Sequence, residues 1–194
     1  MINLIRLEFL KLRKKTRSWL GPRIVFLLIM IAYPLTVEFL QEKLEIGFFS
    51  VLWIAILISM MLATEDIFTE DFNDGFLELM VIQNSSFSLG VSIKVFAYWF
   101  LIGFPVSFLG FIFSYGTTGN FSLSISIFPL ALISSYIFLN LFALGNSLSL
   151  NKGSVLGAIV TMPLALPVLI VLGKSLTACL LYTSPSPRDK SGSR

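Results

Sequence analysis

Long apolar runs separated by short polar intervals dominate the chain. Five of them approach the roughly 20 residues that an α-helix needs to cross the hydrocarbon of a bilayer. They lie at about 23–40 ("RIVFLLIMIAYPLTVEFL"), 46–63, 89–115, 121–145 and 153–173. Transmembrane strands would alternate apolar and polar positions over about 10 residues. These runs are continuous, so the pattern predicts helices and an all-α integral membrane protein.

Ahead of the first run, Ile2, Ile5, Phe9 and Leu12 recur at helical spacing, and Arg6, Arg13 and Arg17 fall largely to another side. Residues 1–20 are therefore expected to form an interfacial helix. Its basic cluster, Lys11, Arg13, Lys14, Lys15 and Arg17, would lie against anionic headgroups. A topogenic charge cluster is the simpler reading, and the two are compatible. No small-residue cleavage site follows the first run, so the N-terminus is expected to be retained. At the other end, "CLLYTSPSPRDKSGSR" abandons the apolar pattern for Ser, Pro and charge. Residues 177–194 are read as a non-native, disordered tail, leaving 21–176 as the membrane domain.

Composition agrees with the pattern. Hydrophobic residues make up 56% of the 194 positions and charged residues only 13%, against about 25% in soluble domains. Histidine is absent, which removes the commonest general base and metal ligand. Cys179 is the only cysteine, so neither an intrachain disulfide nor a thiolate metal cluster can form. No catalytic or metal-binding residues are assigned, and no nucleic-acid partner is expected.

Seven of the fourteen basic residues precede position 24, while Lys43 alone follows the first span closely. Lys94 and Lys152 fall on the same side as the N-terminus. The positive-inside rule then places the N-terminus in the cytoplasm. Glu38 and Lys94 lie near span ends, where long side chains reach the interface. No cluster of charges lies mid-span, which argues against an ion-driven carrier. Pro34, Pro105, Pro163 and Pro167 interrupt spans and predict kinks. Gly153 and Gly157 form a small-xxx-small pair suited to close helix packing.

The most informative polar interval is "TEDIFTEDFNDGFLELM", residues 64–80, which holds six of the eleven acidic residues. The topology makes the interval 64–87 cytoplasmic. Asp66, Glu70, Asp74 and Glu78 are spaced by four and form one stripe of a helix, with Phe68, Phe72 and Leu79 on another side. The helix is either continuous or hinged at Gly75. Like charges at that spacing cost about 0.2–0.5 kcal/mol each in isolation. Anionic lipid would repel the stripe. The oxygens of "DFNDG" do not match a twelve-residue calcium loop, and no nucleophile or base accompanies them for catalysis. Two readings remain: a solvated loop, and a docking element whose aromatics supply buried area and whose acids steer a basic partner.

"FTEDFNDGFLE", followed by "KVFAYWFLIGFP", resembles the haem exporter protein B family, CcmB. The matching residues are Phe68, Asp71, Asp74, Gly75, Leu77 and Glu78, then Lys94, Trp99, Gly103 and Pro105. "AYPL", "VLWIA" and "GSVLGAIVTMPLALPVLIVLG" extend the likeness over about residues 1–176. Two features depart from the family: five spans where it has six, which suggests truncation, and Phe76 where it often has a small or polar residue.

The resemblance implies an ABC-2-type permease bundle, a non-catalytic membrane subunit in cytochrome c biogenesis. It implies an ATPase partner, CcmA, and membrane partners CcmC and CcmD, with ATP hydrolysis releasing the haem-loaded chaperone CcmE. Docking to the ATPase would fall to Asp66, Phe68, Glu70, Asp71, Phe72, Asp74, Gly75, Leu77 and Glu78. Haem would be a handled or transported ligand, and ATP would be bound only by the partner. The chain has no His to ligate haem iron, and Tyr and Met ligands remain open in principle. The implied location is the bacterial inner membrane, with the mitochondrial inner membrane as alternative. An exporter permease for lipid, polysaccharide or drug, and an assembly factor without ATP coupling, are the other readings of the same residues.

Overall fold

The computed structural model describes residues 16–37, 44–65, 67–75, 78, 82, 87–150 and 154–183. The described residues are helical, joined by turns, and contain no strand. In chain order the helices are α1 (Thr16–Val37), α2 (Leu44–Thr64), the short α3 (Thr69–Asn73), α4 (Phe87–Tyr98), α5 (Phe104–Thr118), α6 (Phe121–Leu148) and α7 (Ser154–Thr183). A π-helical turn, Trp99–Gly103, joins α4 to α5 without a break.

Four helical stretches are long and apolar enough to cross a membrane: Ser18–Thr36, Gly47–Thr64, Ser88–Thr118 and Phe121–Leu148. The fifth expected span is helical too, with the shorter apolar stretch Ile159–Ser175 inside α7. Length and all-round hydrophobicity mark these as membrane helices. Two sequence boundaries shift. Thr16–Leu20 belongs to the first spanning helix rather than to a separate interfacial one, and α7 runs past residue 176 to Thr183. The remainder of the expected interfacial helix, with Lys11, Arg13, Lys14 and Lys15, lies outside the described residues, as do 184–194. Arg17 lies in the first turn of α1.

α6 is the centre of the bundle and touches α2, α5 and α7, while α1 packs on α2. The core is built from Phe26 and Met30 of α1, Leu52, Ile56 and Met60 of α2, and Ile127, Phe138 and Phe142 of α6. Lipid tails are as apolar as these side chains, so close packing and interhelical hydrogen bonds hold the helices together. Ser107 Oγ donates to the Ala131 carbonyl at 3.1 Å, tying α5 to α6. Ser59 Oγ donates to the Pro22 carbonyl at 2.8 Å, tying α2 to α1. At the α6–α7 contact a Cβ on Gly157 would lie 2.7 Å from the Gly145 carbonyl oxygen. The expected small-residue contact is therefore made by Gly157 against Gly145, and Gly153 lies outside the described residues. Between α5 and α6, Gly119 takes a left-handed φ of 63° and Asn120 caps α6 by accepting from the Ser122 and Leu123 amides.

The prolines behave unequally. α1 continues through Pro34 and α7 through Pro163 and Pro167. Among these four prolines, only Pro105 adjoins a change of backbone pattern, where the Phe104 amide donates to Trp99, five residues back. The chain there is also tightly packed: a Cβ on Gly103 would lie 2.6 Å from Trp99 Cδ1.

Candidate functional site

The acidic segment begins where α2 ends. Thr64 is fully buried, and its hydroxyl donates to the Met61 carbonyl at 2.9 Å. Its own carbonyl has no α-helical N–H to accept from, as at any helix C-terminus. Asn146 of α6 fills that role, donating through Nδ2 to the Thr64 carbonyl at 2.8 Å and lying 3.2 Å from Thr64 Oγ1. The Ile67 amide also donates to the Thr64 carbonyl, at 3.1 Å, and turns the chain back.

That turn drives two apolar anchors into the bundle. Ile67 is fully buried and Phe68 is 6% exposed. The single turn of α3 then carries Asp71 inward, where it forms a buried salt bridge and hydrogen bond with Lys94 of α4. Lys94 Nζ also lies 6.0 Å from the centre of the Phe68 ring. Lys94 thus turns into the protein instead of reaching the membrane interface. The reason is physical: a cation at this depth is costly without a counter-charge, and Asp71 provides one.

Gly75 closes the turn with φ of 66° and donates its amide to the Phe72 carbonyl at 3.2 Å. Its left-handed conformation ends the turn that follows α3. Around it Phe72, Asp74 and Glu78 are exposed, as is Glu65. The nine residues expected to dock a partner therefore divide. Phe68 and Asp71 face inward and hold the segment; Phe72, Asp74 and Glu78 are open to a partner, with Gly75 between them. Glu70 lies in α3, and Asp66 and Leu77 lie outside the described residues. Behind Phe68 is a cavity of about 510 Å³ between α4 and α6, bordered by Val91, Val95, Tyr136 and Asn140. The segment thus has one wall against open space.

Among the described residues no three of Asp, Glu, Cys or His converge as a metal site. The described contacts hold the segment against α4 and α6. Asn146 carried no sequence signal that set it apart from Asn140 of the same apolar run.

Fold and site together define an all-α integral membrane protein with one acidic, partly anchored loop at an end of its bundle. The family model for CcmB protein matches residues 1–185, and the chain belongs to that family. It is 28% identical over 179 residues to the heme exporter protein B of Haemophilus influenzae, covering 91% of this chain and 81% of that protein. The Pseudomonas aeruginosa heme exporter protein B is 29% identical over 163 residues, with 82% and 73% covered. The match through residue 185 includes the end of α7 that the sequence pattern assigns to the tail.

Proposed function

We propose that the chain is the membrane subunit of an ABC-type haem-export system of cytochrome c biogenesis in a bacterial inner membrane. The relatives named heme exporter protein B support the haem assignment. In this reading the N-terminus is cytoplasmic, and the segment 64–87 is where a separate ATPase subunit, of the CcmA kind, seats. CcmC and CcmD stand beside it in the membrane, and hydrolysis drives release of haem-loaded CcmE. The chain itself contributes no hydrolytic chemistry.

The observation that carries the proposal is the division of the acidic segment into an anchored and an exposed half. Force applied by a partner at Phe72 or Asp74 reaches Asp71 within three residues. From there it passes through a buried ion pair to Lys94 on α4 and through the chain to Thr64, held by Asn146 on α6. A solvated loop would not need such internal fastening. The test is affinity purification of the tagged full chain from membranes of its host. Recovery of an ABC ATPase together with cytochrome c maturation proteins is the expected result. An ATPase accompanied by glycosyltransferases or lipid carriers, or no ATPase at all, would overturn it.

A further inference from the structure

Arg23 lies one turn inside the first spanning stretch, Ser18–Thr36. It is partly buried, and among the described residues no carboxylate pairs with it. Its guanidinium lies 4.8 Å from the centre of the Trp19 ring. One Nη donates to the backbone carbonyl of Leu101, across from α1 to the π-turn of the third span. That carbonyl is a special one. It lies in the turn where Pro105 brings no N–H, so that residue 105 can serve neither Leu101 in an α-helical register nor Phe100 in the π register. In a bilayer a turn short of an N–H needs a donor from a neighbouring helix.

We infer that Arg23 is a positioning residue: it supplies a donor to the turn in which Pro105 lacks one, and so fixes the π-turn of the third span against α1. Trp19 holds the guanidinium in place by stacking. On the other side of the turn Trp99 Nε1 donates to Ser135 Oγ at 3.1 Å, so the π-turn is fastened to α1 and α6 at once. The half carrying Lys94 and the half formed by α5 then keep a set angle. This role does not depend on which partner the acidic segment meets.

The test exploits the missing N–H. Spin labels go on Ser88→Cys and Thr117→Cys, both exposed, in a Cys179→Ser background of the full chain in lipid nanodiscs. Arg23→Met, which has no donor, should broaden and shift the distance distribution across the third span. Arg23→Lys, which keeps a charged donor, should restore most of it. With Pro105→Ala the turn regains a backbone N–H of its own, so Arg23→Met should then change the distribution little. An equal effect of Arg23→Met with Pro105 present and with Pro105 replaced by alanine, or no effect in either background, would overturn the inference. If Arg23→Met is not recovered from membranes, its recovery when Pro105→Ala is added supports the inference, and continued loss contradicts it.

Discussion

Two cations lie among the packed helices, and they are stabilised differently. Lys94 is buried against a carboxylate, Asp71, on a loop 23 residues away in sequence. Arg23 is partly exposed and meets a neutral carbonyl, Leu101, 78 residues away. The first pair fastens the acidic segment to the bundle, and the second fastens one span to another. The contrast ranks the two joints by the cost of breaking them. Removing one member of a buried ion pair strands a full charge, whereas removing Arg23 strands one dipole.

The largest effect should come from Lys94→Met, which removes the buried cation that Asp71 meets in the bundle. We expect a loss of about 3–5 kcal/mol, read as a lower melting temperature in nanodiscs and faster proteolysis at residues 65–75. Replacing both partners, Asp71→Leu with Lys94→Met, should recover most of it. Arg23→Met should cost less, about 1–3 kcal/mol, since only the Leu101 carbonyl loses its donor; an Arg23 loss equal to the Lys94 loss would erase the distinction. Asn146→Ala removes the donor to the Thr64 carbonyl and should cost about 1 kcal/mol, with protection against hydrogen exchange falling first at Ile67 and Phe68. Gly103→Ala places a methyl 2.6 Å from Trp99 Cδ1 and should cost about 1 kcal/mol or more, read as a shift of tryptophan fluorescence. The smallest effect should be Asp74→Lys with Glu78→Lys, within about 0.5 kcal/mol of no change, because both side chains are exposed.

Much of this was legible before any coordinates. Continuous apolar runs are long enough to predict spans by themselves, and the i,i+4 acids marked out the polar segment between the second and third of them. Pairing across the bundle was not legible. Nothing local distinguishes Asp71, which turns inward, from Asp74, which turns out, because the choice depends on Lys94 being opposite. Pro105 announces a missing N–H in its span, but the donor that meets the Leu101 carbonyl lies on another helix. Pro34, Pro163 and Pro167 carry the same local signal, yet their helices run on. Boundaries were blurred where composition changes gradually, as at Thr177–Thr183, which continues α7.

The central claim is that the exposed half of the acidic segment receives the ATPase. Its sharpest test is co-purification of the ATPase with the full chain bearing Asp66→Lys, Glu70→Lys, Asp74→Lys and Glu78→Lys, compared with Lys94→Met with Asp71→Leu. The fourfold reversal should abolish ATPase recovery while the chain stays folded in the membrane. Undiminished recovery with all four charges reversed would contradict the claim.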